Sequence, residues 1–546
     1  MHLRAHKIAA GEALTCDICI VGGGAAGTVL ADALRQSGRD VILLEAGEVK
    51  GPGRAQKLYE GISDDPDFHL PPDRDRTRGL GGSSAMWGGR CMPYDPVDFT
   101  TRAHVPGSGW PFGPEELSDW YRKAQAYADC GAYAYDAAEA GLEGRLIGGL
   151  DSAQLQTETL ERWSPPTHFG RSLGPGLIAS DRVRVITGAV ATGLTQDGAR
   201  ISAVEVTALR GKKTFTVSAG QVVLAAGGLE TPRLLLATAT AERAAIGDHS
   251  GWLGRGYMNH VGGVISRLRF AEGTPVVFGY EQDAAGVYIR RRFTFSAEAQ
   301  AAHELVNLYA LLDRPLLEDA SHDSAILSLA WLAKRLLQRQ SKTDPGAAGG
   351  GMFALYKKHL RNLIFGAPEV LSVLPRFGRD RFLKGRRLPS LLLASGDNSF
   401  YLYFHAEQSP DRENRVYLDQ NRRDAVGMPV LRIATRLSEG DAEAILRAHR
   451  LIGKELEAVG VGSLDFLNPE DPMQTLRDEC KATLGHHIGT TRMAADPEDG
   501  VVDADLRVHG VENLYVASAA ALPTSSQAHP TLTILALSLR LAARLA

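Results

Sequence analysis

Residues 17–45 read DICIVGGGAAGTVLADALRQSGRDVILLE, and this stretch decides the fold. Asp17–Val21 is a short apolar strand, Ala26–Gln36 has the spacing of a helix, and Val41–Leu44 is a second apolar strand ending at Glu45. Between the first strand and the helix, Gly22, Gly24 and Gly27 form G-x-G-x-x-G. The first glycine permits a tight turn, the second lets a pyrophosphate approach the backbone, and the third lets helix pack on strand. A phosphate there meets free N–H groups at a helix N-terminus. Glu45 is placed to accept hydrogen bonds from a ribose. With strand, helix and carboxylate in their expected places, the glycines predict the opening of a βαβ dinucleotide-binding unit, without separating FAD from NAD.

Working outward, a second apolar strand, Val222–Ala226, runs into Gly227 and Gly228 and then a helix over Thr231–Ala237. A third, Leu514–Ala517, lies near the last residue of the sequence. Strands of the buried, parallel type therefore come from the beginning, middle and end of the chain. Phe400–Phe404 and Val416–Leu418 alternate instead, as antiparallel strands do. The expected fold is mixed α/β: a discontinuous Rossmann-like domain over 1–100, 165–262 and 480–546, with a substrate domain over 101–164 and 263–479. That second domain should be a mainly antiparallel sheet plus helices. From about 315 to 387 the pattern reads as a helical insertion. Ala325–Leu337 is strongly apolar, and Ala354–Arg387 holds nine Lys or Arg against Glu369 and Asp380. A solvated excursion, packed on itself or on another subunit, is the plain reading; docking to an anionic surface, or to a phosphate-bearing substrate or carrier, is the sharper one.

The 546 residues are too many for one ordinary core. At 44% hydrophobic and 23% charged, the composition is that of a folded protein, and a net charge of −4 gives no global attraction to nucleic acid. The five cysteines are odd in number and scattered, which argues against a disulfide framework. Cys16 and Cys19 lie in an extended run, where odd spacing sends their side chains to opposite faces, so no metal site is expected of them. Met1–Thr15 carries no apolar signal core, and no stretch approaches the roughly 20 apolar residues of a spanning helix. A cytoplasmic location is expected by default.

Two later stretches sharpen the reading. Arg78–Arg90 reads RGLGGSSAMWGGR, and the last part of the sequence reads GHHIGTTRM (485–493) and then SSQAHPTLTILAL (525–537). With these the chain closely resembles the glucose–methanol–choline oxidoreductase family, and looks most like its pyranose-oxidase branch. The resemblance is carried by residues 16–100, 222–260 and 484–546, and between them by short phrases such as EQSP at Glu407–Pro410. It implies FAD, bound by the glycine motif, Glu45 and the segment Gly81, Gly82, Ser83 and Ser84. It also adds Trp87, Val190, Ser518, Pro530 and Thr531 to the cofactor set. Some members attach FAD through a histidine where this chain has Met86, so the resemblance implies non-covalent binding. Ser518 departs from the Asp or Gly usual after LYVA.

The resemblance places the catalytic histidine at His486, three residues before the glycine of a G-T pair, and the second catalytic position at His529. Adjacent His487 is the alternative to His486. The chemical need is general: hydride leaves a carbinol carbon only if the hydroxyl proton is removed, and neutral imidazole is a suitable acceptor. Pro530 suits a helix's first turn, and Leu532, Leu535 and Leu539 form an apolar stripe behind it. Such a helix would present its N-terminus beside His529, where it would favour negative charge on a reduced flavin. Glu407 and Gln408 are placed either to bind substrate hydroxyls or to pack. The function implied is oxidation of an alcohol on a sugar, glycoside or polyol, with oxygen, a quinone or a protein taking the electrons. A lyase on the same scaffold, oxidation of a non-sugar alcohol, a binding protein and an NAD enzyme are the alternatives.

Overall fold

The computed structural model describes residues 1–317, 320–339, 351–393, 397–482 and 485–546. Three strands open the chain: β1 (His2–Arg4), β2 (Ala13–Val21) and β3 (Val41–Glu45), with helix α1 (Ala25–Leu34) crossing from β2 to β3. Val29, Leu30, Ala31 and Leu34 of α1 have no exposed surface. The helix sits this close because residue 27 has no side chain: a Cβ there would lie 1.9 Å from the Gly22 carbonyl oxygen.

Strands β4 (Val183–Thr187), β5 (Ala189–Asp197), β6 (Arg200–Ala208) and β7 (Thr214–Leu224) complete a large sheet in the order β1-β4-β3-β2-β7-β6-β5, and a short strand, Leu514–Val516, also pairs with β7. Pairings from β1 to β7 and from β7 to Leu514–Val516 are parallel, whereas β6 pairs antiparallel with both β7 and β5. The register sets Val21 opposite Leu44 and opposite Leu224, and Leu224 opposite Val516. The carboxyl ends of four strands thus finish level. Gly22, Glu45, the Ala225–Gly228 turn and Ser518 emerge along one edge, where open α/β sheets bind ligands. Helix α2 (Gly227–Leu236) starts from that turn.

A second sheet is antiparallel throughout. It comprises β8 (Val261–Phe270), β9 (Leu308–Asp313), β10 (Ser399–Ala406) and β11 (Gly462–Phe466) in the order β9-β10-β8-β11, with Lys481–Ala482 added beside β8. Phe400, Leu402 and Phe404 enter a core shared with Ile445 and Ile452, which the later helix Glu439–Ala458 supplies. Period-two alternation sends Tyr401, Tyr403 and His405 to the other face. Two short strands from the first hundred residues leave the large sheet. Gly61–Ser63 pairs with Pro429–Ala434, and Arg90–Cys91 with Leu160–Trp163.

The basic region is helical where described: α3 (Ala325–Arg339), α4 (Gly351–Phe365) and α5 (Ala367–Gly378), followed by a π turn at Arg379–Leu383. Residues 318–319 and 340–350 of the expected insertion lie outside the described residues. The helix Glu439–Ala458 is α6, and α7 (Thr531–Leu545) packs its buried Leu532, Leu535 and Leu539 against the first core, beside α1. Among the described residues no helix is long and apolar enough to cross a membrane.

Candidate active site

A cleft of about 600 Å³ lies at the carboxyl edge of the large sheet. Three helices begin on it: α1 through Gly24 and Ala25, α2 through Gly227 and Gly228, and α7 through Pro530 and Thr531. Each start leaves backbone N–H groups without intrahelical partners and carries the positive end of a helix dipole. Every catalytic and cofactor residue named from the sequence lines this cleft except Gly27 and Gly81. Gly27 serves the close packing of α1. Gly81, at φ +93°, donates its N–H to the Gly23 carbonyl at 2.7 Å and locks the glycine–serine segment against the turn.

The walls are backbone at closest approach. A Cβ on Gly22 would lie 2.6 Å from the Ala225 oxygen, one on Gly82 2.9 Å from Gly24 Cα, and one on Gly228 1.9 Å from the His487 oxygen. Bare backbone plus helix N-termini is what a dinucleotide's pyrophosphate requires, so the residues present fit the cofactor. Buried Glu45 accepts N–H bonds from Gly23 (2.8 Å), Gly47 (2.6 Å) and Gly79 (3.0 Å), so it also ties three turns together. Beside it stands a cluster the sequence reading missed. Glu230 pairs with Arg76 (3.1 Å), Arg78 (2.8 Å) and Arg233 (3.1 Å), and Arg233 also with Asp424 (2.7 Å). Burial would raise the Glu230 carboxyl, but Arg233, Arg78 and Arg76 outweigh it and push it down to about 2.

His486 and His529 meet at the other group of lining side chains, with Nε2 of His486 3.1 Å from Nδ1 of His529. Behind them lie two histidines that the sequence reading did not single out. The antiparallel bridge between Met258 and Ile488 sets His260 opposite His486, and their Nδ1 atoms are 2.8 Å apart. His405 on β10 stands across from Gly262 and Tyr309. Its ring stacks between those of His260 (4.3 Å) and His529 (4.7 Å). Tyr309 Oη lies 3.2 Å from His529 Nε2 and receives a hydrogen bond from Arg90 at 2.8 Å.

The end groups of this chain fix every proton in it. The Ser525 carbonyl can only accept, so His260 Nε2, 3.1 Å away, carries hydrogen. In the neutral ring His260 Nδ1 is then a lone pair, and it accepts from His486 Nδ1–H. That leaves His486 Nε2 as a lone pair, which accepts from His529 Nδ1–H. His529 Nε2 in turn accepts from Tyr309, whose oxygen accepts from Arg90, a donor only. His405 donates Nδ1–H to the Gln527 carbonyl at 3.0 Å, and its buried Nε2 has no partner among the described residues. Burial, and after it the neighbouring imidazoles, holds His486, His529 and His405 well below the ordinary histidine range, and burial brings His260 to about 4. All four rings are therefore neutral near pH 7. Nitrogens of His260, His405 and His486 lie within 4.8 Å of one another, but the proton shared by His260 and His486 fills the place a bridging ion would take.

His487 also lines the cleft but is paired away from His529: its Nε2 is 3.3 Å from Asp75, and its ring stacks over Tyr257. Glu407 and Gln408 are fully buried, and packing is their role. The Glu407 carboxylate is gripped by Arg102 and by the Asn307 N–H (2.6 Å), while Gln408 bonds the Asn259 N–H and the Arg436 carbonyl. Gln408 also braces the loop carrying His529, since Ser525 Oγ accepts from the Gln408 N–H.

A dinucleotide cradle at the edge of a Rossmann sheet, with paired neutral imidazoles beside it, defines a dinucleotide-dependent oxidoreductase. Family models described as GMC oxidoreductase match residues 175–261 and 410–538, and one described as an NAD(P)-binding Rossmann-like domain matches 20–57. The chain belongs to the GMC oxidoreductase family, with FAD as cofactor and CH–OH groups as donors. Over 138 residues, about a quarter of each chain, it is 37% identical to a C-glycoside 3-oxidase from Arthrobacter globiformis. It is 24% identical to paromamine 6'-oxidase of Streptomyces fradiae across 96% of this chain and 90% of that one. Against 2-methyl-1,2-propanediol dehydrogenase of Mycolicibacterium austroafricanum it is 23% identical, across 96% and 94%. The solved structure of pyridoxine 4-oxidase from Mesorbium loti has the same fold, with a TM-score of 0.56 at 17% identity over 97% of this chain and 99% of that one.

Proposed function

We propose that this enzyme oxidises an alcohol on a sugar, glycoside or polyol, with His486 as the base and His529 as its hydrogen-bonding partner. One observation carries the reading: a fixed lone pair, His486 Nε2, faces a fixed donor, His529 Nδ1–H, at the cleft. An alcohol needs that complement, an acceptor for its hydrogen and a donor to its oxygen. A substrate hydroxyl replaces the contact between the rings, gives its proton to His486 Nε2 and leaves its oxygen held by His529. His260 receives the other hydrogen of the resulting imidazolium at Nδ1, which keeps the ring in place as it charges. FAD, when bound, would supply the acceptor for the hydride that leaves the carbinol carbon. Gly22, Gly24, Glu45, Gly82, Ser83, Ser84, Trp87, Val190, Ser518, Pro530 and Thr531 would hold it, with the 1–100, 165–262 and 480–546 segments as the cofactor half.

Two further features support a polyhydroxylated substrate. Trp163 lines the cleft with a buried Nε1–H that has no acceptor among the described residues, and Arg90 lies over its ring at 4.9 Å. The printed activities of the C-glycoside and paromamine oxidases point the same way. Met86, half-exposed on the cleft, offers no nucleophile at the linking position, so FAD is held non-covalently. Five unpaired cysteines support a reducing, cytoplasmic setting. The test is anaerobic bleaching of the flavin by free sugars, glycosides, aminoglycosides and simple alcohols. Bleaching by a sugar-type substrate and not by simple alcohols is expected. A cyanohydrin cleaved without bleaching would instead establish the lyase.

A further inference from the structure

The helices α3 to α5 pack inward through a small core of their own: the Trp331 ring stacks on His359 at 4.1 Å and meets Tyr356 at 4.8 Å. Their outward side is the unusual one. Among the described residues fifteen large apolar side chains are exposed, and nine of them fall between Leu329 and Leu383. Elsewhere such residues are scattered singly, which is ordinary; here they form a patch, which is not. On α4, Phe353, Leu360 and Ile364 share one exposed stripe with Lys357, flanked by Lys358, Arg361 and Phe365, while His359 and Asn362 face in. Phe353 and Phe365 are each 78% exposed, and Leu383 is 80%.

The charge is as uneven as the apolar surface. Residues 354–387 carry nine Lys or Arg and two acids in a chain of net charge −4. One of those acids, Asp380, is already engaged by Arg379 and Lys384. The segment that follows the patch runs back towards the cleft. Arg386 pairs with Asp129 at 2.7 Å, and Ser390 bonds Tyr280, whose ring meets the cleft residue Trp163 at 5.5 Å.

We infer that this face docks on an anionic lipid surface, placing the cleft next to the bilayer. A second copy of the chain is the poorer occupant, because two-fold pairing of one patch sets cations against cations. Exposed Phe and Leu interleaved at helical spacing with Lys and Arg match an interface where apolar tips enter the acyl boundary and long basic stems reach headgroups.

The FAD-loaded enzyme is sedimented with vesicles of phosphatidylcholine alone or with about 30% phosphatidylglycerol, at low and high salt. Binding to the anionic vesicles only, weakened by salt, is expected. Each cation removed should weaken it about fivefold, so Lys357→Ala/Lys358→Ala/Arg361→Ala should bind about a hundredfold less tightly. Phe353→Ser/Phe365→Ser should also release the enzyme, by loss of the inserted side chains. Retained flavin absorbance shows that both variants fold. No binding of wild type to anionic vesicles at low salt overturns the inference, and so does full binding by the triple variant. Light scattering that shows an oligomer falling to a monomer in Phe353→Ser/Phe365→Ser, without vesicle binding, would assign the patch to self-assembly instead.

Discussion

Replacing His260 by alanine removes no group that touches substrate, yet it should slow flavin reduction. In the folded protein His260 Nδ1 is the acceptor, at 2.8 Å, for the Nδ1–H of His486. Without it that N–H is buried and unpaired, which costs about 1–3 kcal/mol. The imidazole escapes the cost by moving its proton to Nε2, and the lone pair that should take the substrate proton is then gone. At 1.4 kcal/mol per factor of ten, the reactive tautomer falls about 5- to 140-fold, and the reduction rate at saturating substrate falls with it. KM should move little, because proton transfer belongs to the transition state. His486→Ala sets the scale, with a loss of about 10²–10⁴. His260→Asn is the control, since its amide oxygen takes the place of Nδ1 as acceptor and should recover most of the rate. Anaerobic stopped-flow reduction of the FAD-loaded variants reads all three. Reduction of His260→Ala at the wild-type rate would refute the tautomer argument, and equal damage from asparagine and alanine would reduce His260 to packing.

Other expectations follow from the same structure. Glu45→Ala strands three buried N–H groups and should lower both FAD occupancy and melting temperature; full occupancy in the purified variant would remove Glu45 from the site. Acid precipitation should release the yellow chromophore, and flavin that stays with the pellet would show a covalent link formed elsewhere than at Met86. Because His486 lies well below the ordinary histidine range, the reduction rate should stay level as pH falls through 6.5 and drop only at lower pH. A clear rate loss centred near 6.5 would contradict that. Stability should respond earlier. Between pH 6.5 and about 4 the unfolded chain binds protons that buried His260 and His449 refuse, so melting temperature should decline across that window.

What was legible in one sequence was local. The turn Gly22–Gly27, the strands around it and Glu45 declare themselves within thirty residues because their chemistry is set by neighbours in the chain. His486 and His529 were reached through resemblance, since no spacing rule connects them. His260 and His405 were not reached at all. Their place depends on Met258 pairing with Ile488 and on Gly262 pairing with His405, contacts between strands far apart in the chain. Glu407 shows the same limit, its partner Arg102 being 305 residues away. The antiparallel pair β5 and β6, which widens the large sheet, was likewise not singled out, although Val190 comes from it. On α4 the cations could be counted from the sequence, but which side faced water could not.

The interleaving of the large sheet has a consequence for biosynthesis. Its cofactor edge needs β2 from the start of the chain, β7 from the middle, and Leu514–Val516 together with the first turn of α7 from the far end. A nascent chain that has made the glycine turn can therefore close only part of the cradle. The rest must wait until residues 514–531 leave the ribosome, with apolar strand edges exposed meanwhile. FAD is in this sense a late ligand, able to reward only a chain whose distant parts have already found each other. Its supply during expression should therefore stabilise the finished chain, without shortening or easing that wait.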